Sequence, residues 1–122
     1  MSLHDRPTLT ELLEAVRGYL SAEVVPAARD RRARFRALIA VNVLAIAQRE
    51  IANAAGDAAA EVAALEQLGY SGNDPDEARR RLCDEIRAGG YDDPERFEAA
   101  LAFARASVVR KLGVANPNFR TG

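Results

Sequence analysis

The sequence has few of the residues on which most enzymatic and metal-binding sites depend. Its 122 residues include one cysteine, Cys83, and one histidine, His4. A single thiol cannot form an internal disulfide or a multi-thiolate metal site. One histidine near the N-terminus cannot supply a buried catalytic triad or the paired Glu-x-x-His ligands of a di-iron bundle. We therefore expect no metal, no cofactor and no histidine-dependent hydrolase.

Glycine-rich loops, long apolar runs and a strong net charge are also lacking. The glycines stand singly or as the pair Gly89-Gly90, unlike the phosphate-binding loops of nucleotide folds. The longest apolar run, Ala37 to Ala47, falls well short of the roughly 20 residues that cross a bilayer. The N-terminal residues lack the pattern of a secretion signal, so we expect a cytoplasmic protein without membrane contact. A formal net charge of −1 gives no bulk attraction to nucleic acid, so DNA binding ranks last.

The sequence is instead rich in signals for the starts and ends of helices. Thr8-Leu9-Thr10-Glu11 has the form of a capping box and predicts a helix from near Leu9 until Pro26. A second helix is predicted from between Asp30 and Ala33 to about Ala55, ended by Gly56. A third follows from about Ala58 to Leu68, ended by Gly69. Asp74-Pro75 and Asp93-Pro94 begin the fourth and fifth helices, which stop at Gly89-Gly90 and Gly113.

The second predicted helix is apolar on every side from Ala37 to Ala47, which is typical of a helix that others surround. The predicted fold is all-α, a single-domain bundle (1–122) of about five helices around a central apolar helix at about 32–55, with tails at 1–7 and 114–122. Cys83 is expected to be a small core residue. The other side chains expected to face inward are Leu9, Leu12, Leu13, Val16, Tyr19, Leu20, Val62, Leu65, Leu68, Ala78, Leu82, Ile86, Phe97, Leu101, Ala104, Val108 and Leu112.

A polar seam follows one face of this second helix. Asn42 lies amid the apolar run, where we expect a buried amide with a specific hydrogen-bond partner. Helical spacing puts Asn42 on one face with Phe35, Leu38, Ile39, Ile46, Arg49 and Asn53, with Glu50 adjacent. The favoured interpretation is a polar network that fixes helix packing. The alternatives are a ligand-binding cluster and a plain solvated edge.

A lysine on the fifth predicted helix and a cluster of arginines on the second each have both a structural and a functional interpretation. Lys111 lies one turn from the end of the fifth helix, where the helix dipole favours a cation; alternatively it pairs with Glu50 or a ligand anion. Arginines also cluster at the start of the second helix, the end that disfavours cations. They are interpreted as solvated and paired with neighbouring carboxylates, or as a patch for an anion or acidic partner. This arginine patch comprises Arg29, Arg31, Arg32, Arg34 and Arg36.

Several segments taken together resemble a bacterial family of small helical proteins that is described as a domain of unknown function. These segments are Arg6-Pro7, Glu11 to Val16, Phe35, Ala40 to Ile46, Arg49-Glu50, Ile86 to Gly89, Lys111-Leu112 and Ala115-Asn116-Pro117. The family often has a more polar pair at the positions of Arg36 and Leu38. The resemblance implies a polar cluster formed by Asn42, Arg49, Glu50, Lys111, Asn116 and Pro117.

The resemblance also implies a setting, since members of the family are commonly encoded beside an aminoglycoside-phosphotransferase-like kinase and an acyl-CoA dehydrogenase. We therefore expect a non-catalytic accessory protein that binds the kinase or the dehydrogenase, with a homodimer as a further expectation. The alternative is a binder of an acyl-CoA or phosphorylated ligand, or a minor enzyme, that uses Asn42, Arg49, Glu50 and Lys111.

Overall fold

The first helix begins where the capping box predicts. In the computed structural model, which describes residues 6–72 and 74–119, α1 spans Leu9–Tyr19. The Glu11 amide donates to the Thr8 hydroxyl, and the Thr8 amide donates to the Glu11 carboxylate, both at 3.2 Å. The Arg6 guanidinium lies 2.8 Å from this carboxylate and lowers the pKa of Glu11. The predicted start is therefore confirmed.

The helical path continues to Ala27, one residue beyond the predicted stop at Pro26. A π-helical turn, Leu20–Val24, follows α1 and leads into a short helix, α2, at Val25–Ala27. The Val25 amide donates to the Leu20 carbonyl across the wider turn. Because proline has no N–H to continue an α-helical ladder, a local change to the wider turn accommodates Pro26 within a helical path.

The second and third predicted helices are one helix, α3, which spans Arg31–Gln67. The predicted interruption at Gly56 is therefore wrong. Gly56 does not have the positive φ with which a glycine ends a helix. It stands within an alanine-rich stretch, and the helix propensity of several alanines outweighs the penalty of about 1 kcal/mol for one glycine.

The fourth and fifth helices have the predicted starts. α4 spans Pro75–Arg87 and α5 spans Pro94–Ala115. The Asp74 carboxylate accepts from the Asp76 amide at 3.0 Å, and the Asp93 carboxylate accepts from the Arg96 amide at 3.2 Å. Each aspartate thereby caps a helix with proline in its first turn.

The all-α prediction is confirmed: the described residues contain four helices longer than two turns and no strand. α5 ends two residues after the predicted stop at Gly113, so Val114 and Ala115 belong to the helix rather than to a tail. Residues 1–5, with His4, and 120–122 of the predicted tails lie outside the described residues. Among the described helices, none combines the length and apolar character of a membrane span.

The described chain divides into two compact units, one up to Asn53 (unit 1) and one from Ala54 (unit 2). In unit 1 the Gln48 side-chain amide donates to the Glu14 carboxylate at 2.8 Å, so the first part of α3 returns alongside α1. This bond and the Arg17 guanidinium lower the pKa of Glu14. Among the described residues of unit 1, the buried apolar ones are Val25 and Ala37. Val25 comes eleven positions after Glu14, and Ala37 comes eleven positions before Gln48, so both lie nearer the turn that connects the helices.

Unit 2 has a closed core that begins at the end of α3. The Tyr70 amide donates to the Leu65 carbonyl and the Gly69 amide donates to the Glu66 carbonyl, both at 2.9 Å. With Gly69 at φ +96°, these bonds form a Schellman motif that turns Tyr70 back onto Leu65. Leu65 is 1% exposed. The other core residues are Tyr70, Ala78, Leu82 and Tyr91, with Leu68, Ala100 and Phe103 packed against them.

Several side chains that were expected to face inward are exposed. In α1 these are Leu9, Leu12, Val16 and Tyr19, and in α4 they are Cys83 and Ile86. α5 uses Ala100 and Phe103 against the core, whereas Phe97 and Val108 are exposed. The expectation of a surrounded central helix is matched only roughly by α3, because Phe35, Leu38, Ile39 and Val43 are exposed. Apolar spacing identifies a shared face, but it does not establish that another element covers that face.

Gly56→Ala is expected to raise the free energy of unfolding by up to about 1 kcal/mol. Gly56 lies in a helix, and a Cβ built there meets no atom within 4 Å. Urea unfolding followed by circular dichroism measures the change. Gly69→Ala is the matched control and should destabilise, because Gly69 has positive φ. Destabilisation by Gly56→Ala would contradict a continuous helix at this position.

Candidate interaction site

One side of α3 in unit 1 is apolar and uncovered. Phe35 is 64% exposed, Leu38 48%, Ile39 46% and Val43 55%. Asn42 is exposed among them, so the expectation of a buried amide is wrong. We call these five residues the α3 face. The opposite side of the helix carries Ala37, which is buried, and Gln48, which binds Glu14 on α1.

An arginine and a glutamate lie at the two ends of the α3 face. Successive residues of an α-helix are rotated by about 100°, so Arg32, Ile39 and Glu50 lie within one narrow sector. Both charged side chains are exposed. Among the described residues, neither the Arg32 guanidinium nor the Glu50 carboxylate forms an ion pair. The sector thus presents a cation, an apolar centre containing one amide, and an anion in that order.

α1 presents a second apolar surface. Leu9 is 56% exposed, Leu12 49%, Val16 51% and Tyr19 57%. Their spacing of three and four residues places them on one stripe, which we call the α1 stripe. The polar residues beside it are paired within the unit, Arg6 with Glu11 and Arg17 with Glu14. The α1 stripe therefore has rims that are close to neutral.

The predicted arginine patch lies at the start of α3, and all five of its side chains are exposed. The Asp30 carboxylate caps the helix, accepting from the Arg32 amide at 2.7 Å and the Ala33 amide at 3.2 Å. Its negative charge offsets part of the unfavourable interaction between the arginines and the helix dipole. Within residues 6–72 and 74–119, none of the five guanidiniums forms an ion pair. An anion or acidic partner for this patch stays a prediction.

The members of the predicted polar cluster belong to different units. Asn42, Arg49 and Glu50 lie on α3 in unit 1, whereas Lys111 and Asn116 lie at the end of α5 in unit 2. Asn42, Glu50, Lys111 and Asn116 are exposed, and Arg49 is half-buried. The ligand-binding interpretation of this cluster stays a prediction.

A polar network in the unit 2 core was not predicted from the sequence. The hydroxyls of Tyr70 and Tyr91 lie 2.9 Å apart, and both tyrosines are 4% exposed. Burial, together with hydrogen bonds to Tyr91 and Glu85, raises the pKa of the Tyr70 phenol well above its ordinary value. The Arg96 guanidinium lies 4.4 Å from the Tyr91 ring centroid and 3.5 Å from the Glu85 carboxylate. The sequence signal was that each tyrosine follows a glycine that helps to end a helix.

α4 carries an open concavity of about 480 Å³, lined by Asp76, Arg79, Arg80, Cys83, Asp84 and Arg87. Most of its charges already have partners. Arg79 pairs with Asp76 and with Glu61, the latter at 2.5 Å, and Arg87 pairs with Asp84 at 3.6 Å. Two of these ion pairs, Arg79–Asp76 and Arg87–Asp84, lie within α4, and the Arg79–Glu61 pair joins α4 to α3. Across the described part of the chain, no group of three or more His, Cys, Asp or Glu side chains is arranged to hold a metal ion.

These features define a small helical protein whose most distinctive surfaces are uncovered apolar helix faces. A family model described as a domain of unknown function (DUF6285) matches residues 26–119. The chain therefore belongs to the DUF6285 family. Neither the curated proteins nor the solved structures contain a match to it.

Tyr70→Phe is expected to lower the free energy of unfolding by about 1 kcal/mol at neutral pH, because it removes buried hydrogen bonds. The substitution should also change how the free energy of unfolding depends on pH in the alkaline range. The unfolded wild-type chain releases the Tyr70 proton near pH 10, whereas the folded chain retains it, so stability falls as the pH rises above this value. Urea unfolding between pH 8 and about pH 11 should show a shallower fall for Tyr70→Phe. Equal slopes for the two proteins would contradict the raised pKa.

Proposed function

We propose that this protein is a non-catalytic accessory protein that binds another protein through the α1 stripe. The observation that supports this function is the exposure of Leu9, Leu12, Val16 and Tyr19 along one side of α1. Anchors at this spacing are typical of a helix that lies in an apolar groove of its partner. Such a surface is costly to leave in water and is characteristic of interaction sites.

The rims of the α1 stripe indicate the kind of groove that suits it. Because Glu11 and Glu14 are already paired with Arg6 and Arg17, the stripe offers little net charge to a partner. A groove with an apolar floor and a weakly charged rim is therefore the best complement. The family resemblance gives two candidates for this partner, the phosphotransferase-like kinase and the acyl-CoA dehydrogenase.

A tagged form of the chain should retain one of these two enzymes when the purified proteins are mixed. Val16→Asp should reduce the retained amount at least about tenfold, because it places a charge among apolar anchors. Thr10→Asp is the matched control, since Thr10 is exposed and lies off the stripe. Circular dichroism should show both variants folded. Retention of neither enzyme, or retention that is equal for Val16→Asp and the wild type, would contradict the proposal.

A further inference from the structure

We propose that the α3 face binds a second copy of this chain, with the two α3 helices antiparallel about a two-fold axis next to Asn42. This proposal uses a different surface from the α1 stripe and does not depend on the proposed function. Its basis is that two copies of the α3 face are complementary when their helices run in opposite directions, because Arg32 and Glu50 lie at the two ends of the face.

The apolar residues of this face have the spacing of helices that pack along their length. Phe35, Ile39 and Asn42 of the α3 face, with the half-buried Ile46 next to it, follow one another at intervals of four, three and four residues. Phe35 and Ile39 are 64% and 46% exposed. Packing two such faces together removes these side chains from water in both copies at once, and the apolar area buried favours association.

Asn42 determines where the axis lies. A primary amide offers both donors and an acceptor, so two symmetry-related Asn42 side chains can satisfy each other across a two-fold axis. A single polar residue within an apolar helix seam is a known means of fixing the register of a helix pair. The exposed position of Asn42 among apolar neighbours is explained in this way.

The charges at the ends of the face match the same axis. Arg32 and Glu50 are 18 residues apart and are centred on Val41, the neighbour of Asn42. Reversing one helix about this centre places Arg32 of each copy opposite Glu50 of the other. The two Arg32–Glu50 pairs of the dimer are then separated by about 27 Å along the helices. Each dimer then contains two complementary ion pairs at its ends.

The arginine patch selects the antiparallel arrangement over the parallel one. All five arginines lie at the start of α3 or just before it, and they are exposed. A parallel pair would bring ten arginines to the same end, where like charges repel. The antiparallel pair places the two patches at opposite ends, more than a Debye length apart at physiological ionic strength.

Charge reversal at the two ends tests the proposal by sedimentation velocity over a range of protein concentrations. The wild-type chain should sediment as a dimer. Arg32→Glu and Glu50→Arg should each weaken self-association about tenfold, because each creates two like-charge contacts in the dimer. An equimolar mixture of the two single variants should recover dimers of wild-type strength, since both contacts in the mixed dimer are again complementary. Arg34→Glu makes the same charge change off the face and should leave association unchanged.

Ile39→Glu provides a second measurement, because Ile39 is 46% exposed and its replacement need not disturb the fold. Circular dichroism should match the wild type while the dimer is lost. A wild-type chain that stays monomeric at the highest concentration would overturn the proposal. A dimer that survives Ile39→Glu, or single variants whose mixture fails to recover association, would also overturn it.

Discussion

The first part of α3 carries apolar side chains on two sides, and unit 1 covers only one of them. On the covered side Ala37 is buried and Gln48 is bound to Glu14. On the other side Phe35 and Ile39 remain about half exposed or more. Because burial of apolar surface is the main favourable term in association, this side gains free energy from contact with a partner. The position of Asn42 within this side gives the contact a preferred register.

Unit 2 differs from unit 1 in having a closed core of apolar and aromatic residues, while Phe97 and Val108 on α5 remain exposed outside that core. Two helix-ending turns at Gly69 and Gly89 precede the tyrosines that hydrogen-bond at its centre. Positive φ at these glycines allows the chain to reverse sharply enough for Tyr70 to reach Tyr91. The arginines around this core are mostly used in ion pairs or over aromatic rings. These contacts stabilise the core of unit 2, whereas both surfaces proposed for interaction lie in unit 1.

Local chemistry made the helix starts predictable from the sequence, since the Thr8 and Asp74 caps depend on residues a few positions away. The helix end predicted at Gly56 was wrong because a glycine can either end a helix or lie within one. At Gly56 the high helix propensity of the neighbouring alanines keeps the helix continuous. The burial of Asn42 was wrong for another reason: periodicity shows which residues share a face, but coverage depends on distant parts of the chain. The Tyr70–Tyr91 contact was missed because it also joins residues that are far apart in the sequence. Of the candidate site, the sequence identified Asn42, Glu50 and Arg32, and the grouping of Glu50 with Lys111 of unit 2 stays a prediction.

The most direct test of the central claim is cross-linking at Asn42, in a chain whose exposed Cys83 has been replaced by serine. Asn42→Cys, treated with a short bismaleimide, is expected to give a covalent dimer in high yield, because the two-fold axis brings these positions together. Ala52→Cys, exposed on the same helix but off the α3 face, should give little dimer under the same conditions. Equal yields from the two positions, or no covalent dimer from Asn42→Cys, would contradict the account.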